Sequence, residues 1–212
     1  MSYDLRDFLM FTPEVYLRLF ERLNDTLGPW FWPVVLAILA IPAMLCWRAL
    51  WVRRLAVVMV SLGWGVTATL FMHRYYAPIN WPVSYFAWAF AVEALVLLAM
   101  GWGTPPRPVR FGRMLVSVGL LLGMSLLTAW SAADWGAIAL PGLTPDMTAL
   151  ATLVLLAGVT RTWRVLLLFV PLIWCLFSVL THWALGLLLP MVVPAAGALL
   201  AIVLAFWPGP RH

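Results

Sequence analysis

Glu93 is the residue in this chain most out of place, and so the first candidate for chemistry. It sits inside the run Phe90-Ala91-Val92-Glu93-Ala94-Leu95-Val96-Leu97, with no other charge nearby in sequence. If that run crosses a bilayer, a charge at its centre costs about 3 kcal/mol on insertion scales. The acid is therefore expected to face the protein interior, neutralised by a proton or tied to a partner. Three roles fit: a neutral acid joining two helices, a proton or cation site of a transporter, or a contact to a cofactor or partner subunit. Tyr85 is expected on the same face at i, i+8. Thr67, Thr69, Ser117, Ser125 and Thr128 are candidate hydrogen-bond partners.

A second cluster is Met72-His73-Arg74-Tyr75-Tyr76-Ala77-Pro78-Ile79-Asn80. Here His73 could accept a proton or ligate, while Arg74 and Asn80 supply donors; the plainer reading is a helix end anchored at the membrane interface. His182 is the other internal histidine and falls near the same surface, which makes a bis-histidine haem geometrically conceivable with nothing else to support it. The sequence contains no Ser/His/Asp arrangement, HExxH, Cys/His metal cluster, phosphate loop or nucleotide fingerprint. Enzyme chemistry, a metal and a cofactor are not expected.

The elements that must position these groups are set by hydropathy. The chain is 65% hydrophobic and 10% charged, with mean hydropathy +0.99. Soluble domains carry roughly a quarter charged residues. A spanning helix needs about 20 apolar residues. Seven candidates follow: Trp30–Trp47, Leu55–Met72, Trp81–Trp102, Met114–Trp130, Met147–Trp163, Val165–Trp183 and Leu185–Trp207. The fifth is the weakest. The last two join through Thr181-His182-Trp183-Ala184-Leu185-Gly186, where only Gly186 and two polar residues suggest a turn; six spans with a re-entrant piece is the fallback.

All 13 basic residues are arginine, and they alternate between links. Arg48, Arg53 and Arg54, then Arg107, Arg110 and Arg113, then Arg161 and Arg164 share a face with Arg211; Arg74 stands alone in the other links. This is the positive-inside pattern. It predicts a multi-pass protein of a bacterial cytoplasmic membrane, with the N-terminus outside and the C-terminus inside. The net charge of +5 is then attraction to anionic headgroups, and no nucleic-acid partner is expected. Tryptophans at Trp30, Trp32, Trp47, Trp51, Trp81, Trp102, Trp130, Trp163, Trp183 and Trp207 mark the expected interfaces; Trp64, Trp88 and Trp174 fall mid-span and read as packing. Cys46 and Cys175 read as small buried hydrophobes. No signal peptide is expected before the first apolar run.

Residues 1–29 read as a separate element ahead of a bundle over 30–212. Thr12-Pro13-Glu14 is a helix start. Val15, Tyr16, Leu19, Phe20, Leu23 and Leu27 recur at helical spacing, and Gly28-Pro29 closes the segment. This is an amphipathic helix lying on the outer surface or capping the bundle. Helix contacts are predicted at Gly119 and Gly123, and at Gly197, Ala201 and Ala205. Kinks are predicted at Pro33, Pro42, Pro171, Pro190 and Pro194. The link over 131–146 is apolar for a loop and suits a lid or an interfacial dip.

The order Phe11-Thr12 and Asn24, then His73 with Ala77-Pro78-Ile79-Asn80, then Pro141-Gly142-Leu143-Thr144-Pro145, then Pro171-Leu172-Ile173-Trp174 resembles a bacterial polytopic membrane family known as domain of unknown function six-zero-six-four. Its members are loosely called permeases, and the similarity would cover nearly the whole chain. The resemblance implies an amide as the more usual residue at position 93, and brings no substrate, cofactor or catalytic residue. The sequence thus predicts an all-α integral membrane bundle of about seven spans. Its leading functional expectation is a non-catalytic accessory or structural subunit, in contact with lipid and with other membrane subunits or copies of itself. The alternative is a small permease for protons, ions or a small solute, with Glu93 as coupling site and His73 as outer gate. A cofactor-binding electron-transfer subunit is the third.

Overall fold

A computed structural model describes residues 11–104, 107–132 and 134–206. Trp207 and Arg211, assigned above to the last span and the basic face, lie outside the described residues, as do residues 1–10 of the N-terminal segment. The described chain is all-helical: α1 Pro13–Leu27, α2 Phe31–Cys46, α3 Leu50–Val66 continuing as a π-helix over Thr67–Tyr76, α4 Val83–Gly103, α5 Phe111–Ser131, α6 Pro145–Leu156, α7 Arg161–Leu185 and α8 Val192–Phe206. Five helical runs are long and apolar enough to cross a membrane: Pro13–Cys46, Leu50–Tyr76, Val83–Gly103, Phe111–Ser131 and Arg161–Leu185; α6 and α8 are shorter apolar helices. At 1.5 Å per residue the 12 residues of α6 reach only about 18 Å.

Several boundaries differ from the hydropathy reading. The expected fifth span, Met147–Trp163, stops at Leu156, and Trp163 belongs to α7. Gly158, Val159 and Thr160 turn the chain there with backbone bonds Gly158 N–H to Leu155 O (3.1 Å) and Val159 N–H to Leu156 O (3.1 Å). These residues are hydrophobic enough to hide a turn from a sliding window. The turn expected near Gly186 is present. Gly186 takes φ 73°, a left-handed C-cap, and Leu187 N–H bonds His182 O at 2.9 Å. Pro42 and Pro171 lie inside helices, whereas Pro190 falls in the link before α8 and kinks nothing.

The helices pack around buried aromatics. Ser61 Oγ of α3 donates to Ala94 O of α4 (2.7 Å), and the Trp64 and Phe90 rings meet at 4.2 Å. Across α3 and α6, Trp64 Nε1–H donates to Thr152 Oγ1 (2.7 Å). Thr67 meets Thr148 at 3.1 Å; because the Thr148 hydroxyl proton goes to Thr144 O, Thr67 is the donor. Such bonds satisfy side chains that lipid cannot. The π-helical stretch is closed by Ala77 N–H to Met72 O at 2.7 Å. Its wide turn buries Thr67, Phe71, Met72 and Tyr76 and leaves His73 and Arg74 exposed.

The helix-packing glycines divide. A Cβ on Gly197 would lie 2.6 Å from Cys175 Sγ, so α8 is seated directly on α7, with Ala201 also buried. Gly119 and Gly123 have nothing within 4 Å of such a Cβ; among the described residues they bring no two helices together. α5 is a peripheral helix, and its glycine face is open. Of the mid-span tryptophans, Trp64 and Trp174 are core and Trp88 is exposed. The end tryptophans Trp30, Trp32, Trp47, Trp51, Trp81, Trp102, Trp130 and Trp183 are all exposed, as interfacial indoles should be.

α1 begins as its sequence directs. Thr12 Oγ1 accepts from Val15 N–H at 3.4 Å, and Pro13 occupies the first turn. Its apolar face does not lie on the surface but enters the core through Tyr16, Leu19, Phe20 and Leu23. A short 3-10 turn, Gly28–Trp30, joins it to α2. α1 therefore caps one end of the bundle. At the other end of α2, Val109 N–H bonds Leu45 O (3.0 Å), Arg54 donates to Trp102 O (3.1 Å) and Gly103 lies beside Trp163, so the segments carrying Arg48, Arg53, Arg54, Arg107, Arg110, Arg113, Arg161 and Arg164 gather there.

Candidate functional site

Asp146, His182 and Trp174 meet beneath α1. α6 starts with Pro145, which puts Asp146 in its first turn, but the carboxylate does not cap the helix; it turns inward. Asp146 Oδ1 accepts from Trp174 Nε1–H at 2.8 Å, and Oδ2 lies 4.0 Å from His182 Nε2. Trp174, Ser178 and His182 recur at i, i+4, i+8 along α7, each neighbour one turn from the next with a drift of about 40° per step, and all three are buried. Ser178 O can only accept, so His182 Nδ1 is the protonated nitrogen and donates to it at 2.8 Å. Its other ring nitrogen, Nε2, is the one that faces the carboxylate.

A cavity of about 20 Å³ beside the pair is lined by Asp146, His182, Tyr16, Thr128, Ser131 and Pro190, among others. A cavity of roughly 10–15 Å³ suffices for one water. An acid and a base thus border one space the size of a water molecule.

α1 roofs this site. The Tyr16 ring stands edge-on to His182 (5.3 Å) and to Tyr76 (5.6 Å), and Phe20 packs on Phe71 (5.1 Å). The roof is pinned twice. Asn24 Nδ2 donates to Gly136 O (2.6 Å) and Ile138 O (3.0 Å) of the link over 134–144. The Thr26 hydroxyl proton goes to Arg22 O, so the 2.7 Å contact with Tyr75 is donated by the tyrosine. The link is partly buried, through Ala137, Ala139, Leu140 and Leu143, with Asp134, Trp135 and Gly136 exposed. It forms part of the wall of the site.

Glu93 is buried in α4, and its Oε1 has no hydrogen-bond partner among the described residues. It lies one turn past Phe90, about 4.5 Å further along the helix. Phe90 packs edge-on against Trp174 (5.5 Å), whose indole N–H is held by Asp146. Two buried carboxylates therefore flank an aromatic pair. The suggested partners are engaged elsewhere: Thr67 pairs with Thr148, Thr69 donates to Gly65 O, Ser117 to Arg113 O and Thr128 to Ser125 O. Ser125 is buried in α5 and makes no hydrogen bond to Glu93 Oε1.

The other sequence candidates are placed elsewhere. Tyr85 is exposed on the face away from Glu93; eight residues at 100° each leave them about 80° apart, enough to separate core from lipid. His73 and Arg74 are exposed, and Arg74 lies over the Tyr75 ring at 5.7 Å. His73 does not line the small cavity that His182 lines, so the two imidazoles do not frame a haem. Asn80 sits at the margin of the site, donating to Tyr76 Oη at 3.2 Å. No group of three His, Cys, Asp or Glu able to hold a metal occurs among the described residues. Cys46 and Cys175 are free, the latter buried.

By its sequence Thr144-Pro145-Asp146 reads as the start of a helix, and His182 as part of a turn. The signal that points further is the run Trp174, Ser178, His182, spaced one turn apart on an otherwise apolar helix. Comparison of the chain with protein-family models, with curated proteins and with solved structures finds no match.

Proposed function

We propose that this chain is a small permease of a bacterial cytoplasmic membrane, moving protons or a small solute or ion coupled to them. Asp146, His182 and Glu93 carry the proton, and no catalytic turnover is assigned. The observation that carries this reading is the buried Asp146–His182 pair, held 4.0 Å apart beside a cavity sized for one water. Ionisable groups inside a bundle are expensive and are kept where protons or ions pass. By the positive-inside pattern the arginine end faces the cytoplasm, which puts α1 and the Asp146–His182 pair on the outer side. A proton from outside would be taken up by His182 once α1 lifts, shared with Asp146 through the water, and delivered past Phe90 and Trp174 to Glu93. The aromatic pair is the barrier that keeps the two carboxylates from exchanging freely.

The test is proton flux in liposomes holding the purified protein and a pH-sensitive dye, under an imposed potential. The wild type should acidify or alkalinise the lumen well above empty liposomes, and Glu93→Gln, nearly isosteric, should fall to the empty-liposome rate with unchanged folding. Full flux in Glu93→Gln would remove Glu93 from the path. No flux in the wild type under any tested gradient or added small solute would remove the permease reading itself.

One observation favours a second reading, an accessory subunit or homo-oligomer. Gly119 and Gly123 lie open on α5, a face that lets another helix approach closely. Gly123→Leu should then leave the isolated chain as stable as the wild type, since none of the described residues touches that site, yet reduce its native mass in mild detergent to that of one chain. An unchanged native mass would sink this reading.

A further inference from the structure

We propose that the cleft between α2, α3, α5 and α6 holds one anionic phospholipid, its acyl chain among the apolar side chains and its phosphate on Arg113. This site is independent of the proton path above, which lies across α6 from it. The cleft has a volume of about 500 Å³, inside the roughly 300–1,000 Å³ typical of ligand sites. Along α2 its lining runs from Val34 to Leu45, about 16 Å of helix. Its walls are mostly aliphatic; the threonines among them, Thr148 and Thr152, already bond Thr67 and Trp64 of α3, and Ser117 donates to Arg113 O. No polar solute would be held there, whereas a hydrocarbon chain would be. The cleft is open to the surrounding bilayer, because Leu62 and Arg113 line it and are exposed.

Charge selects which lipid. Arg113 stands at the mouth, in the first turn of α5, with Arg107 and Arg110 exposed in the preceding link. Val109 N–H bonds Leu45 O at 3.0 Å, so the link is fixed against the end of α2 and holds these arginines beside the opening. No Asp or Glu occurs in the described segments of this end: the carboxylates of the described residues are at Glu14, Glu21, Asp25, Asp134 and Asp146 toward the α1 end, and Glu93 in mid-bundle. Arg107, Arg110 and Arg113 thus have no carboxylate of the described residues at their end of the bundle. Basic openings between membrane helices on the cytoplasmic side take anionic headgroups, and a guanidinium suits a phosphate with two parallel bonds.

The experiment is native mass spectrometry of the full chain released from mild detergent. It is exposed in turn to phosphatidylglycerol and to phosphatidylcholine with identical acyl chains. The wild type should retain one phosphatidylglycerol per chain in preference to phosphatidylcholine. Arg113→Gln, at an exposed position, should weaken phosphatidylglycerol binding about tenfold, the loss of one charge-assisted contact, and remove the preference. Ala37→Phe, which fills the cleft, should lose both lipids while melting at or above the wild-type temperature. Equal retention of the two lipids by the wild type would overturn the proposal. So would undiminished phosphatidylglycerol binding by a folded Ala37→Phe, or a dimer whose second copy fills the cleft.

Discussion

On the proposed permease reading, replacing Asp146 by Asn should leave a folded protein without proton flux, whereas Asp146→Leu should unfold at a markedly lower temperature. The two outcomes separate the two roles of one side chain. Asn keeps an oxygen where Oδ1 stands, so Trp174 Nε1–H retains the acceptor it now has at 2.8 Å. What Asn lacks is the second acceptor, able to share a proton with His182. Leu removes both. The Trp174 indole, 1% exposed, is then left without its acceptor, and the His182 Nε2 faces hydrocarbon. Each buried polar group stranded in this way costs about 1–3 kcal/mol, and in a membrane no water is at hand to replace the partner. Thermal unfolding in detergent and dye-reported flux in liposomes, measured on the same preparations, give the comparison. An Asp146→Asn protein with full flux would return the pair to a purely structural status, and an Asp146→Leu protein as stable as the wild type would show that the Trp174 bond contributes nothing.

The architecture is legible because lipid allows so few solutions. Long apolar runs, interfacial tryptophans and arginines in alternate links each follow from the bilayer as solvent, and each marks a boundary in the structure. The misreadings occur where a local pattern is ambiguous. Gly158-Val159-Thr160 is a turn made of residues that a hydropathy window counts as span. Thr144-Pro145-Asp146 has the form of a helix start, and it is one, but the carboxylate that form would assign to the backbone is engaged by Trp174, twenty-eight positions away. Nothing in the neighbourhood of Asp146 in sequence announces that. His73 and Arg74 mislead in the opposite sense: two polar residues together suggest a site, and the π-turn of Thr67–Tyr76 directs them out and Phe71, Met72 and Tyr76 in. Glu93 is legible because a lone acid in an apolar run admits few structural explanations. Even there the shared face with Tyr85 does not hold, since i, i+8 drifts away from i over two turns. Long-range pairing is what the sequence withholds. The site is made by α1, α6 and α7, with α1 more than a hundred positions from the other two.

Enlarging Gly197 to Ala should destabilise the seat of α8 on α7, and enlarging it to Leu should do so much further, among the most destabilising single substitutions in the chain. A Cβ at position 197 would stand 2.6 Å from Cys175 Sγ and 3.8 Å from both Cys175 Cβ and Leu153 Cδ1, far inside van der Waals separation for the sulfur. Cys175 is fully buried, and its α7 backbone is fixed between Trp174 and Ser178, so the sulfur has little room to withdraw. Overpacking of this kind costs about 1–3 kcal/mol where a core can yield, and a Leu must displace several more atoms. The partner residue supplies the control. Cys175→Ala removes the sulfur and opens the space a methyl at 197 needs. The double variant Cys175→Ala/Gly197→Ala should therefore melt well above Gly197→Ala alone, a non-additive gain expected only of residues in contact. Strict additivity of the two changes would mean that α8 is not seated on α7 at this point. The same contact bears on the site, since α7 carries Trp174, Ser178 and His182 on the turns around Cys175. A displaced α8 would loosen the helix that holds the imidazole, so Gly197→Leu should lose proton flux as well as stability, and the Cys175→Ala/Gly197→Ala pair should regain both.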